Sequence, residues 1–357
     1  MKIAYLIDSD PLVNTGVMQK IRQQSRYWVE KNHTIYLVSS KTMSIYDGDE
    51  NILYTQKIMD SKFGKIGTAI SLLHNAYYMK SLIKKIDIDI LYMRHRLYMP
   101  FLYKILKSNK VVMEINSDEM VEYKLYSRVT YYYNLLTRNI FLRQIDAFVS
   151  VSNELKEKYK YLYKPIVVIA NGIDTKSYRV INTKNNQPIL VFIGTPNQSW
   201  QGLDKIKMMA EYFKKYQFYI IGTNGKDSQN LHYFGYLSNE EATKIINQCD
   251  IGIGTLSLYK KDLTEASPLK SRHYLACGLP LIYAYNDTDI PDDVAFKLKL
   301  ENSEENLNYN KIEKFILGVF NNKMISLEAR GFAEGILDYN KKEEQRLNLF
   351  KRILNEK

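Results

Sequence analysis

The chain has 357 residues, of which 45% are apolar and 25% charged, with a formal net charge of +11. That length suits two domains rather than one, and no apolar run approaches the ~18 residues a membrane-spanning helix needs. Two cysteines, Cys249 and Cys277, exclude a disulfide framework and a thiolate zinc cluster, so a reducing, cytoplasmic setting is expected.

KIAYLI, at residues 2–7, reads as a first buried strand, and its early Asp8 and Asp10 argue against a secretory signal. After the loop DSDPLVNTG, VMQKIRQQSRYWVE reads as a helix with Val17, Ile21 and Trp28 on one face. TIYLVSS follows as a strand, completing a β-α-β unit of the kind that builds parallel sheets. The stretch 61–85, SKFGKIGTAISLLHNAYYMKSLIKK, sets Lys62, Lys65, Lys80, Lys84 and Lys85 among apolar and Tyr residues. It fits either a helix lying on an anionic membrane surface or one packed inside its domain with the lysines in water. DILYMR, VVMEIN, AFVSVS and VVIAN are further short apolar strands, as expected of a sheet covered on both faces.

The polar connector NTKNNQP, 182–188, precedes a second series: PILVFIG, a helix around LDKIKMMAEYFKKY, QFYIIG, a helix around NEEATKIINQC, DIGIG and LPLIYAY. The fold class read from this is α/β, two facing Rossmann-like domains with a ligand cleft between them. The expected boundaries are 1–175 and 176–340, with a last helix over 341–357 whose placement the sequence leaves open. Residues 1–180 hold 27 Lys/Arg against 17 Asp/Glu, whereas 181–357 hold 23 against 22. A basic first half points to an anionic partner. No RNA- or DNA-binding module is present, so nucleic acid is not expected.

Between DIGIG and LPLIYAY lies TEASPLKSRHYLACGLP, residues 264–280. Ser267 suits an N-cap and Pro268 the first helical position, while Gly278 and Pro280 suit the end, predicting a helix over 268–277. The free amides of Leu269 and Lys270 then form an anion site, and a lysine in a first turn, where the helix dipole disfavours it, points to a negative ligand. Glu265, just before, can accept hydrogen bonds from hydroxyls. Phosphate on amides and hydroxyls on a carboxylate together describe a nucleotide-sugar.

This segment resembles the donor-site helix of GT-B retaining glycosyltransferases of the family-4 type, whose Glu-x7-Glu element would align Glu265 with the first Glu and His273 with the second. VIANGIDTKSY (168–178), VFIGTPNQSWQGLDKI (191–206), FGYLSNEEATKIINQCDIGI (234–253) and DAFVSVSNELKEKY (146–159) resemble further motifs of that family in the same order. The resemblance implies a GT-B fold and a metal-independent, retaining transfer from a nucleotide-diphosphate-sugar (UDP- or GDP-linked), with no cofactor, to a glycan or lipid-linked acceptor in surface polysaccharide synthesis. The protein would be cytoplasmic, peripheral at the inner face of the plasma membrane. The alternative is a non-catalytic subunit of the same fold that binds sugar or a partner protein.

By resemblance, Glu265 contacts the transferred sugar. The donor would be held by Gly16, Gly194, Gln198, Gln201, Tyr236, Leu237, Ser267, Leu269, Lys270 and His273, with Asn116 on the acceptor side and the leaving diphosphate itself helping to take the proton. Thr195 and Gln201 stand where the family often has Arg and Lys, and Asn116 where many members have His. An imidazole at 273 offers a ribose fewer acceptors than a carboxylate, so His273→Glu is expected to tighten nucleotide binding. The triplets Asp8/Asp10, Asp87/Asp89 and Asp287/Asp289 are weak candidates for a metal-binding Asp-x-Asp pattern.

Overall fold

The computed structural model describes residues 1–13, 15–57, 64–99, 102–181 and 184–356, without the side chains of 64–72 and 126. Asn14 of the NTG loop, residues 61–63 with Lys62, the side chain of Lys65, and 182–183 of the connector lie outside the described residues. Two compact units result: Met1–Ile169 with Glu343–Lys357, and Ala170–Lys342.

The first unit begins β1 (Lys2–Ile7), α1 (Gly16–Glu30), β2 (Thr34–Ser39), β3 (Ser44–Tyr46), β4 (Ile52–Thr55), α2 (Gly64–Ile83) and β5 (Ile90–Arg94). It continues α3 (Tyr103–Lys107), β6 (Lys110–Ile115), α4 (Glu119–Tyr126), α5 (Arg128–Leu142), β7 (Ala147–Ser150), α6 (Asn153–Tyr159) and β8 (Ile166–Val168). The sheet order is β4-β3-β2-β1-β5-β6-β7-β8. β1 lies parallel to β2 and β5, whereas β3 and β4 turn back antiparallel as the sheet's edge. β1 and β5–β7 are buried almost throughout, so both faces of the sheet must be covered. In α1 the inward face is Met18, Ile21, Ser25 and Trp28, while Val17 is exposed. That corrects the expected face by one position: Thr15 caps the helix through Met18 N and sets its phase.

The second unit contains β9 (Ile189–Ile193), α7 (Leu203–Tyr212), β10 (Gln217–Ile221), β11 (Leu231–Tyr233), α8 (Asn239–Ile246) and β12 (Ile251–Ile253). After these come β13 (Glu265–Ala266), α9 (Leu269–Ala276), β14 (Leu281–Tyr283), β15 (Asn286–Asp287), β16 (Lys297–Lys299), α10 (Tyr309–Val319) and α11 (Lys323–Phe332). Its main sheet runs β11-β10-β9-β12-β14-β16, all parallel, with β13 and β15 as a separate parallel pair. Ser238 and Glu241 close a capping box at the start of α8, satisfying two otherwise orphaned amides.

The last helix, α12 (Tyr339–Asn355), belongs to the first unit from Glu343 onward. Phe350 packs edge-on to Trp28 at 5.6 Å and against Tyr92 at 5.3 Å. Glu343 accepts from Trp28 Nε1 at 3.0 Å and from Gln24 Nε2 at 3.3 Å, and Arg346 bonds to Glu343 and, at 2.9 Å, to the Tyr92 hydroxyl. A buried guanidinium and carboxylate persist only when paired this completely. Among the described residues no helix is long and apolar enough to cross a membrane.

Candidate functional site

The second unit gathers polar groups at the carboxyl ends of β9, β10 and β12, where open α/β sheets hold ligands. Gly194 follows β9 and Gly222 follows β10. At Gly222, with φ of +90°, a Cβ would stand 2.0 Å from the Gly194 carbonyl oxygen, so the two loops touch backbone to backbone and only glycine fits. The loop after Gly194 folds over Gln201, whose buried Oε1 accepts from Thr195 N–H at 3.2 Å and whose Nε2 donates to Gln198. Lys270, in the first turn of α9, donates to the same Gln201 Oε1 at 3.2 Å, and its ammonium lies 4.0 Å above the centre of the Phe192 ring. Burial of this half-exposed side chain lowers its pKa to about 7. Gly194, Gln198, Gln201 and Lys270 are therefore brought together around one cation.

The start of α9 differs from the expectation in one respect. Pro268, in extended backbone, is the cap residue and the helix begins at Leu269, with no side-chain cap. The buried Ser267 is drawn away by the Asn-Gly-Ile-Asp segment: its Oγ accepts from Asn171 N–H at 2.8 Å and its carbonyl from Asn171 Nδ2 at 2.6 Å. A proline cap offers no hydroxyl, so no cap side chain satisfies the first-turn amides, those of Leu269 and Lys270 among them. They and the positive end of the helix dipole lie in the same first turn as Lys270. Arg272, one turn on, is wholly buried. It forks onto Asp287, with one bond at 2.8 Å, reaches Asp289 at 3.1 Å and donates to the Asn171 carbonyl at 3.1 Å. Lys342 donates to Asp289 at 2.6 Å. The Asp287/Asp289 triplet thus anchors α9.

The other two triplets are also engaged by protein cations: Lys2 Nζ lies 2.6 Å from Asp87 and its backbone N–H 2.7 Å from Asp89, and Arg96 lies 3.0 Å from Asp8. Among the described residues no group of three or more His, Cys, Asp or Glu is arranged to hold a metal ion.

Glu265 lies half-buried on β13, in register with Asn286 of β15. Tyr236 is exposed and Leu237 half-buried, in the loop between β11 and α8. His273 turns inward: it is 6% exposed, its Nε2 is 3.0 Å from the Thr243 hydroxyl on α8, and its ring lies 4.6 Å from that of Tyr178. Burial lowers its pKa to about 4, so it is neutral at physiological pH. The position expected to face the ribose is thus occupied by a largely buried ring packed against α8 and Tyr178.

In the first unit, Gly16 opens α1 and a Cβ there would meet nothing within 4 Å. Asn116, just after β6, accepts from Lys20 Nζ at 3.2 Å. Lys20 also pairs with the fully buried Glu114, which takes the Tyr92 hydroxyl as well. Burial alone would raise the Glu114 pKa. Lys20 and then Arg346 outweigh it and hold that pKa far below the usual carboxylate range. Sequence reading missed this network, although a lone Glu inside the apolar run VVMEI signals a paired buried charge.

It also missed a cavity of about 440 Å³ at the ends of β1, β2 and β5, lined by Asp8, Lys41, His95 and Arg96 and by Met43, Met79 and Leu102. His95 Nε2 and Arg96 Nε are buried there without a hydrogen-bond partner. Buried polar atoms left unsatisfied beside a cavity call for an explanation, such as a bound polar group or ordered water.

Residues 15–177 match Glycosyltransferase Family 4. No curated protein matches at the sequence level. Similar solved structures include sucrose-phosphate synthase from Thermosynechococcus elongatus, with 13% identity, a TM-score of 0.77, and 99% of this chain and 98% of that one covered. Another is the catalytic domain of Arabidopsis thaliana starch synthase IV bound to ADP and acarbose, with 12% identity, a TM-score of 0.69, and 99% of both chains covered. A third is Anabaena HepE in complex with UDP and glucose, with 12% identity, a TM-score of 0.64, and coverage of 99% and 100%. With two α/β units, one built on a mixed and one on a parallel sheet, the chain has the GT-B fold of these solved structures, and its residues 15–177 are similar to Glycosyltransferase Family 4.

Proposed function

We propose that the protein moves a sugar from a nucleoside-diphosphate-sugar to a glycan or lipid-linked acceptor, with retention of anomeric configuration and without a metal, in surface polysaccharide synthesis. The observation that carries this is the Lys270 ammonium, held by Gln201 over Phe192 beside the uncapped N-terminus of α9. Bond cleavage leaves negative charge on the departing diphosphate. Amides, a dipole and a cation already fixed in place stabilise that charge without reorganising. Cations in the protein thereby take the part a divalent metal plays elsewhere. Glu265 is proposed to accept from hydroxyls of the transferred sugar. Gly194, Gln198, Ser267 and Leu269 shape the diphosphate site, and Tyr236 and Leu237 flank the base.

His273 is assigned here as a packing residue that holds α8 to α9. Gly16 is proposed for the donor loop, Asn116 and the cavity at His95 and Arg96 for the acceptor. UDP is the favoured carrier, supported by the UDP seen in HepE; a GDP-sugar is the other candidate. The basic first half is proposed to draw the protein to an anionic membrane on the cytoplasmic side, near a lipid-linked acceptor.

The test is turnover of a panel of nucleotide-sugars with and without EDTA, with the product anomer assigned by NMR. Retention, EDTA insensitivity and release of nucleoside diphosphate support the proposal. An inverted product or a requirement for metal refutes the corresponding part, and tight nucleotide binding with no turnover would indicate the non-catalytic subunit instead.

A further inference from the structure

A soluble helix points its apolar side inward and its polar side to water. α5 breaks this rule. Asn134, Phe141 and Leu142 are buried, but the opposite face is apolar too: Val129 is 80% exposed, Tyr132 60%, Leu136 79% and Ile140 50%. With Tyr133 these positions stand at i, i+3, i+4, i+7 and i+11, which in a helix is one continuous stripe. From Val129 to Ile140 the stripe is roughly 17 Å long.

The polar residues around it carry one sign of charge. From residue 123 to 145 the sequence has no Asp or Glu, while Arg128 and Arg143, at the two ends of α5, are exposed and Arg138 is tied to Glu119. Three consecutive tyrosines, Tyr131–Tyr133, occupy the helix as well. An apolar stripe, tyrosines and cations without acids are the composition of a helix lying in the interface of an anionic bilayer. An ordinary protein partner would more often meet both signs of charge at the rim.

The alternative segment, 61–85, does not share this pattern where its side chains are described. Ala76, Met79, Leu82 and Ile83 of α2 are buried in the unit, and Lys85 sits 5.3 Å from the centre of the Tyr54 ring.

We propose that the outer face of α5, through Val129, Tyr132, Leu136 and Ile140 with Arg128 and Arg143, docks the protein on an anionic lipid surface. This rests on the membrane part of the reading above, but not on the transfer reaction. Binding is measured without donor or acceptor, so the two can fail separately.

The experiment is flotation of the full chain with phosphatidylcholine vesicles, with and without phosphatidylglycerol, at low and high salt. The wild type should bind only the phosphatidylglycerol vesicles and lose binding as salt screens the cations. Val129→Ser combined with Leu136→Ser should lower the partition constant about tenfold or more. Both side chains are mostly in water, so the thermal midpoint should hold. Arg128→Gln with Arg143→Gln should weaken binding, whereas Lys80→Gln with Lys84→Gln on the α2 side should leave it nearly unchanged.

Equal binding to both vesicle types, no binding to either, or wild-type binding by the Val129/Leu136 variant overturns the proposal. So does a wild-type dimer in sedimentation that this variant converts to monomer, because the stripe would then be covered by a second copy of the chain.

Discussion

Lys270 should make nucleotide binding take up a proton. Burial lowers its pKa from the ordinary 10.5 to about 7, so near neutral pH the free protein holds the group about half protonated. A diphosphate placed against the first turn of α9 favours the charged form and raises the pKa again. At pH 8 only about one tenth of the free protein is protonated at this site, so binding should take up close to one proton. Affinity should then fall by up to about tenfold per pH unit above pH 7. The ligand's terminal phosphate ionises near pH 6, so the window from pH 7 to 9 isolates the lysine.

Calorimetry with UDP in two buffers of different ionisation enthalpy reads the proton directly. Lys270→Met should abolish the uptake, flatten the pH dependence and remove a charge-assisted hydrogen bond of about 1.5–3 kcal/mol, roughly 10- to 150-fold in affinity. In the free protein the sign of the linkage is fixed as well. The unfolded chain binds more protons at this site between about pH 7 and 10.5, so Lys270 contributes a rise in stability with pH across that interval, which Lys270→Met should remove. Calorimetric heats independent of buffer, with flat affinity from pH 7 to 9 in the wild type, would refute the argument.

Glu265→Gln should slow turnover strongly while leaving UDP affinity within about threefold, because the amide still accepts but no longer carries charge toward the sugar; unchanged kcat removes Glu265 from the site. His273→Glu should destabilise the protein by about 2 kcal/mol or more, since a carboxylate would be buried against the Tyr178 ring, and a wild-type urea midpoint would contradict the inward placement. Because the folded pKa of His273 is depressed from 6.5 to about 4, this residue costs stability as pH falls through that interval, and His273→Gln should lessen the loss. Arg272→Met leaves Asp287 buried without its fork and should cost about 3 kcal/mol or more in chemical denaturation; a smaller loss would show that Lys342 can compensate.

The strands that run as short continuous apolar stretches were legible in the sequence. KIAYLI coincides with β1, and QFYII and ILVFI with β10 and β9, because strands buried on both faces leave an unbroken hydrophobic record. β3, β4 and β16 were not, since three- or four-residue strands such as SIY, ILYT and KLK carry no period and are fixed by pairing with distant partners. Gly278 and Pro280 marked the end of α9 well, but its start was off by a residue. Ser267 reads locally as a cap, and only the fold reveals that Asn171, 96 positions away, claims it.

The same limit explains His273: a histidine three residues after a lysine looks like a partner on the same helical face, while the side that meets Thr243 and Tyr178 is decided by packing. Lys270 and Gln201 each stood out in the sequence as candidates. Their meeting at one amide oxygen did not, because it joins positions 69 apart.

The most direct measurement follows the release of nucleoside diphosphate from UDP- and GDP-sugars by the wild type and by Lys270→Met and Glu265→Gln, in parallel with their UDP affinities. The account predicts turnover by the wild type with at least one donor, with Lys270→Met impaired in both affinity and turnover and Glu265→Gln impaired in turnover alone. Wild-type turnover that neither substitution changes would place the chemistry elsewhere and contradict the account.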